Sequence, residues 1–476
     1  MSEGQQVTRN GELVSAFSET QQVSHRNEIG AALISRLERL PISRIHFLAR
    51  LLIGCATFFD AYTSLSIAYA LPALVRDWHL APRQAGFIIS IGYVGQLIGA
   101  LSVGWLAERI GRMKALTLCI AIYATMNIAC VFSWNLSSLA LCRFIQGIGV
   151  GGEVPVASTY INEFAKAQGR GKFFLIYQSL FSFGLLCCGL FGYLLIPLYG
   201  WRAMFIVGAL PALLIAPMRL LLPESPRWLI SKGREAQAAK IILKIESDLE
   251  RRGVQLPEPA PARDEFVQTD KPGRWRELFS PFYRRRTFVL WSMWFIAYLV
   301  NNGIVTWLPT LYTSIFHMHL SRSLLFSFTT NGVSVFSSLA CAFYIDKIGR
   351  RLWYILAFFG GASLLLLLGV LGATSAIEVL IFATAIYTTI QTITLSLNLY
   401  TGELYPTRMR AIGGGVATAW LRLGSVISPM IVGVVVSGYG IKWVFILFSV
   451  VATVAGVIVT LFAVETKGKT LEALSP

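Results

Sequence analysis

"GWLAERIGRMK" (residues 104–114) is a polar knot between two long apolar runs, and the chain carries it twice. Its core returns as "DKIGRR" at 346–351, an offset of 238 residues. Other markers keep nearly the same spacing. Glu163 and Arg170, seven apart, are answered by Glu403 and Arg410, also seven apart, 240 residues on. "YGWRAMFI" (199–206) is answered by "YGIKWVFI" (439–446), again at 240, while "PESPRWL" (223–229) and "VETKGKTLE" (464–472) close each half at the same place. Four markers at one offset make a tandem repeat, so the chain is two halves built alike.

Composition says in what medium they are built. Of 476 residues, 55% are hydrophobic and 14% charged, with a mean hydropathy of +0.61. A water-soluble chain of this size would carry far more surface charge. A hydrocarbon slab about 30 Å thick asks for about 20 apolar residues per helix. Such runs fall at 47–72, 85–106, 115–133, 138–160, 173–195 and 203–222, then at 287–311, 323–344, 353–373, 377–400, 412–436 and 443–463. The reading is an all-α membrane protein of twelve transmembrane helices in two six-helix bundles, the parallel-repeat plan of many secondary carriers. It divides into a tail (1–44), a first bundle (45–222), a loop (223–286), a second bundle (287–464) and a second tail (465–476). "LPEPAP" (256–261) gives the central loop the look of a flexible linker.

Lys and Arg then decide sidedness. The loops holding Arg109, Arg112 and Lys114, then Lys166, Arg170 and Lys172, then Lys347, Arg350 and Arg351, then Arg408 and Arg410 are basic, and the opposite turns carry few cations. The positive-inside rule puts both termini and the central loop in the cytoplasm of a multi-pass plasma-membrane protein. The net charge of +16 is explained by this orientation and not by nucleic acid. The polar stretch 1–44 is too long for a signal's charged region, so the first span is expected to stay as an anchor. All seven cysteines fall inside spans and read as small apolar fillers, with no disulfide framework. The histidines lack metal spacing, and no metal or cofactor is expected. "GIGVGG" (147–152) lies inside an apolar helix with no strand before it, so it signals close helix packing and not a dinucleotide loop.

The repeated knots have a physical logic. Gly104 lets two helices approach closely. Glu108 ends its helix where the dipole disfavours an anion, so it should seek a partner such as Arg112. With Arg109, Gly111, Glu163 and Arg170, and with Asp346, Gly349, Arg350, Glu403 and Arg410 in the second half, such clusters can join the halves on one face and break when that face opens. The plainer alternative is that they only fix topology.

"GWLAERIGRMK", "DKIGRR", "RFIQGIGVGG", "PESPRWL", "GELYPTRMR" and "ETKGKTLE" together resemble the major facilitator superfamily over nearly all of 40–472. "RLERLPISRIH" (36–46), "FFDAYT" (58–63) and "GGEVPVASTYINEF" (151–164) resemble the branch of nicotinate and aromatic-acid proton symporters and organic-ion carriers. Sugar porters share "PESPRWL", but the double-glutamine pattern of their seventh helix is replaced here by "AYLVNNGIVTWLP" (297–309). The resemblance implies an arginine of helix 11, here Arg422, for organic anions, and an arginine of helix 4, here Arg143, for proton handling, with a structural partnership to helix 1 or Asp60 as the alternative for Arg143. Aromatic-acid symporters carry a second aspartate three residues after the first in helix 1. Here that position is Thr63, so coupling would rest on Asp60 and Glu153, or the carrier would run without protons.

Four ionisable residues fall well inside spans: Asp60, Arg143, Glu153 and Arg422. A charge at the centre of a membrane helix costs roughly 2.5–3.5 kcal/mol on insertion scales and usually marks a substrate or ion path. Arg422 reads either as an anchor gripping a carboxylate through paired hydrogen bonds or as a fixed partner of Asp60 or Glu153. Asp60 and Glu153 are the proton candidates, and Arg143 has Gln146 one turn on to share its hydrogen bonds. Residues of matching depth that could line a cavity are Tyr62, Tyr93, Gln96, Gln178, Tyr298, Asn301, Asn302, Trp307, Tyr387 and Gln391. Rings could stack on a flat substrate and amides could orient its polar edge.

The expectation is a monomeric alternating-access carrier moving a small organic anion, an aromatic or heteroaromatic carboxylate, together with protons. A sugar or polyol porter, or a facilitator without protons, is the alternative. No nucleophile–base pair or metal cluster stands at a span end, so an enzyme is not expected.

Overall fold

The computed structural model describes residues 28–41, 43–164, 170–259, 275–372, 375–405 and 407–467. Side chains at 170–179, 338, 339, 342, 407, 408, 410 and 411 lie outside that description.

The chain is helical nearly throughout, and no strand occurs among the described residues. A short helix α1 (28–38) precedes α2 (Arg44–Trp78), α3 (Pro82–Ile110), α4 (Arg112–Val131), α5 (Leu136–Phe164) and α6 (Arg170–Tyr199). The sixth expected span is broken into α7 (Arg202–Gly208) and α8 (Ala212–Leu221). There Asn127 Nδ2 takes the Gly208 carbonyl at 2.9 Å, and the Ala212 N–H turns to Ala209 instead. The second half holds α11 (Arg284–Ser314), α12 (Leu320–Ile348), α13 (Arg350–Leu371), α14 (Ala376–Leu404), α15 (Thr407–Tyr439) and α16 (Ile441–Phe462).

Every expected span falls on one of these helices or, for the sixth, on the α7–α8 pair, with four of the expected ends (133, 222, 373 and 463) one or two residues beyond the helix. Eleven described stretches are long and apolar enough to cross a membrane, and the 29-residue α12 occupies the remaining place. In hydrocarbon the backbone must satisfy its own polar groups, which a helix does. The outer surface confirms the medium. Leu101, Leu213, Phe336 and Val370 are each more than 60% exposed, an apolar belt that belongs against lipid and not water.

Small residues let the helices of the first half close up. A Cβ on Gly95 would lie 2.0 Å from the Phe144 carbonyl oxygen, and one on Gly151 2.0 Å from that of Gln96, so α3 and α5 touch backbone to backbone. This is the packing role expected of "GIGVGG".

The halves meet along α3–α15, α6–α12 and α2–α11. The α3–α15 pair runs antiparallel and is tight at one end only. A Cβ on Gly86 would lie 2.6 Å from Pro429 O, and one on Gly433 2.5 Å from Pro82 O. At the other end of the same pair, Cβ atoms on Gly104 and Gly415 would meet nothing within 4 Å. The cleft between the halves is therefore closed at the ends near Pro82 and Pro429 and open on the side of the basic loops. Gly104, expected to hold two helices together, faces open space in this conformation.

The central segment departs from the linker expectation. Residues 260–274 lie outside the description, but 223–259 contain α9 (Pro226–Ser231) and α10 (Glu235–Glu250), and the 3-10 turn Trp275–Phe279 follows. Ala238, Ile242, Ile245 and Leu249 of α10 are buried in one cluster with Leu33 and Leu37 of α1 and Leu40 just beyond it. Arg36 and Arg39 both pair with Glu246, and Arg227 pairs with Glu38. The segment after the first bundle is thus partly a packed cap held to the helix of the N-terminal tail.

Candidate functional site

The repeated knots form two matching clusters. Gly111 and Gly349 stand between helices with φ of +105° and +100°, a region side chains rarely adopt. Each admits a carboxylate: a Cβ on Gly111 would lie 2.3 Å from Glu224 Oε2, and one on Gly349 2.9 Å from Glu465 Oε2. Glu224 accepts the Arg112 N–H at 2.9 Å, and Glu465 accepts those of Arg350 and Arg351 at 3.0 Å, so each caps the helix N-terminus that follows the glycine. Burial pushes the Glu224 carboxyl above its ordinary range despite its backbone donors. Burial acts the same way on Glu465, yet four backbone N–H groups hold it below the ordinary value.

The arginine after each glycine gathers the remaining acids. Arg112 pairs with Glu108 at 2.7 Å and Glu163 at 3.1 Å, and Arg350 pairs with Asp346 at 2.6 Å and Glu403 at 2.9 Å. Arg109 lies over the Trp105 ring at 3.8 Å. All these described contacts fall within one half. The expectation that such clusters join the halves is therefore not met here, which agrees with that side being open. The side chains of Arg170 and Arg410 lie outside the described residues.

The apex of the cleft holds the central polar residues. Arg422, half-buried on α15, donates from Nη1 to Gln96 Oε1 on α3, across the junction of the halves. Gln96 also donates to Ser64 Oγ at 3.4 Å. Among the described residues, no acid forms an ion pair with Arg422 within 4.0 Å, so the fixed partnership with Asp60 or Glu153 is not present in this conformation.

On the second half, α11 and α14 complete the wall. Asn302 donates to Ser425 at 2.7 Å, one turn from Arg422, and Asn301 donates to Gln391 at 3.0 Å. Tyr298 stacks on Trp294 with ring centroids 5.7 Å apart and planes 11° from parallel. Tyr387 is buried on α14 in the same core.

The first half holds two buried charge groups. Glu153 is fully buried and accepts from Thr57 at 3.0 Å, and Asp60 stands one turn along α2 from that threonine. One oxygen of each carboxyl has no hydrogen-bond partner among the described residues. Arg143 donates to Gln146, as expected, and to the Thr63 carbonyl at 3.4 Å. A Cβ on Gly92 would lie 3.0 Å from its Nη2, so the glycine leaves the guanidinium room beside α3. The Thr63 acceptor is its backbone carbonyl, so position 63 offers Arg143 no charge.

One expected wall residue lies elsewhere. Tyr62 is fully buried inside the first half and gives its hydroxyl to Met204 O at 3.2 Å, so it is held in packing and not at the cleft. Trp307 is buried in the core with its indole N–H unpartnered among the described residues. Tyr93, on α3 one turn before Gln96, remains at the apex, whereas the Gln178 side chain lies outside the described residues. Ser64, Thr57, Ser425 and Trp294 were not anticipated. Short hydroxyl residues in membrane helices carry no depth signal of their own, and only the neighbours they meet give them a role. Among the described residues, no group of three His, Cys, Asp or Glu could hold a metal.

Comparison with known proteins gives the family. Residues 47–476 match the family described as "Sugar (and other) transporter". The niacin transporter NiaP of Acinetobacter baylyi is 32% identical over 93% of this chain and 99% of its own length. The 4-hydroxybenzoate transporter PcaK of the same organism is 27% identical over 89% of this chain and 92% of its own. The fold matches the xylose transporter XylE from E. coli in a partially occluded inward open conformation, with a TM-score of 0.72, 21% identity, and coverage of 90% of this chain and 100% of that one. The chain belongs to the sugar (and other) transporter family of the major facilitator superfamily.

Proposed function

We propose that this protein carries an aromatic or heteroaromatic carboxylate across the plasma membrane together with protons, by alternating access. The observation that carries the reading is Arg422. It is a guanidinium at the apex of the cleft whose described hydrogen bond goes to a neutral amide, with no described acid within 4.0 Å to neutralise it. A substrate carboxylate supplies that charge through two parallel hydrogen bonds. Tyr93 and the stacked Tyr298–Trp294 pair offer flat apolar faces for a ring, and Asn301, Asn302, Gln391 and Gln96 offer donors for its polar edge. The relatives named for niacin and 4-hydroxybenzoate support this class of cargo over a sugar.

For the proton, Asp60 and Glu153 are the carriers, and Arg143, held by Gln146 and the Thr63 carbonyl, is the buried cation of the same half. Occupation of Arg422 by a substrate carboxylate removes its attraction for the ionised acids and favours their protonation, which links the two cargoes. Positive-inside places both termini and the open side of the cleft in the cytoplasm, so the conformation described is the inward-open one, and the matching Glu/Arg clusters are the parts that rearrange when it closes. The protein acts as a monomeric carrier and not as an enzyme.

Uptake of labelled aromatic acids into proteoliposomes tests the coupling. The expected result is accumulation driven by an imposed inward proton gradient. Asp60→Asn is expected to abolish accumulation while leaving substrate exchange without a gradient. Equal wild-type uptake with and without the gradient would refute symport.

A further inference from the structure

Tyr69 and Asn331 lie on opposite halves, outside both the motif clusters and the apex residues. Asn331 Nδ2 on α12 donates to the Tyr69 hydroxyl on α2 at 2.7 Å. Both residues are buried, at 3% and 1% exposure, so the bond has no water around it to replace it. The ring is seated by two glycines of α6. A Cβ on Gly189 would lie 2.7 Å from the Tyr69 hydroxyl, and one on Gly192 2.8 Å from ring Cδ1. Phe328 of α12 closes the same seat, 3.1 Å from the Gly189 position. Three helices, α2, α6 and α12, therefore converge on one hydroxyl, and the bond ties the halves together.

Its place in the fold gives it a role. Tyr69 lies nine residues before the end of α2 at Trp78, and Asn331 eleven after the start of α12 at Leu320. Both positions fall on the closed side of the cleft, where Pro82 and Gly86 meet Gly433 and Pro429. The opposite side, around Gly104 and Gly415, is already apart. For the closed side to open, α12 must leave α2 and α6, and the Tyr69–Asn331 bond must break. Asn331 Oδ1 has no hydrogen-bond partner among the described residues, so hydration on opening offsets part of that loss.

We propose that the Tyr69–Asn331 hydrogen bond is the latch of the closed side, setting how often that side opens during transport. Both are positioning residues that act through the packing of the halves. The proposal does not depend on what the carrier moves.

Hydrogen–deuterium exchange on the full chain in lipid nanodiscs, without ligand, tests it. Tyr69→Phe removes one oxygen and leaves the ring in its glycine seat, and Asn331→Leu removes the donor. The latch predicts that exchange over 82–92 and 425–436 speeds up roughly three- to tenfold, the factor one buried hydrogen bond carries. It predicts that exchange over 104–110 and 412–418 slows, because a carrier that opens one side closes the other. A general loss of packing would speed exchange at both ends. Unchanged exchange on the closed side in Tyr69→Phe, or faster exchange at both ends, overturns the proposal.

Discussion

At the scale of single residues, the decisive features are charges and the missing side chains beside them. Arg422 has one described neutral partner in Gln96, and Arg143 rests on Gln146 and a carbonyl, beside the glycine at 92. The same economy shapes Gly111 and Gly349, where positive φ and an approaching carboxylate both exclude a Cβ. Gly111→Ala and Gly349→Ala are each expected to destabilise the protein by about 1–3 kcal/mol, the cost of forcing a side chain into that backbone region. Thermal unfolding in detergent checks this, and unchanged melting temperatures for both variants would contradict the capping account of Glu224 and Glu465. The sequence made these positions legible because the repeat printed them twice, 238 residues apart. It did not reveal Tyr69 and Asn331, whose partnership joins residues 262 apart in chain order and belongs to no motif.

At the scale of elements, spans were read correctly because hydrocarbon imposes length and apolarity on each helix separately. The break after Gly208 was missed, since it depends on Asn127 reaching across from α4. The packing of α10 was also missed, although its buried residues 238, 242, 245 and 249 keep helical spacing. The prolines of "LPEPAP" drew attention to flexibility, while the amphipathic run stands just before them. What that run packs against, α1 of the N-terminal tail, was not visible from spacing alone. Glu246 ties the two elements. Burial opposes its ionisation, but hydrogen bonds from Arg36 and Arg39 hold its carboxyl below the ordinary glutamate value of 4.5. An acid with a lowered folded-state pKa stabilises the fold above its unfolded pKa and loses that contribution as pH falls through the folded one. Docking of α1 is therefore expected to be constant at neutral pH and to weaken only below pH 4.5. Glu246→Gln should loosen it at neutral pH. Limited proteolysis of residues 28–41 reads both, and equal cleavage of wild type and Glu246→Gln would contradict the clamp.

At the scale of the whole molecule, the two halves touch on one side and part on the other, with Arg422 and Gln96 joined where they part. The tandem repeat foretold two bundles, but not which conformation they adopt, because the sequence is the same in every state of a carrier. It also led to the expectation of charge clusters joining the halves, and in this state their described contacts stay within each half. The central claim is that the guanidinium at the apex meets the carboxyl group of the cargo. Ligand-induced thermal stabilisation tests it most directly, with aromatic carboxylates, sugars and amines each added to wild type and to Arg422→Ala. The account predicts that aromatic carboxylates raise the melting temperature of the wild type, that they fail to do so for Arg422→Ala, and that sugars shift neither. Stabilisation by sugars and not by acids, or an undiminished shift by acids in Arg422→Ala, would contradict it.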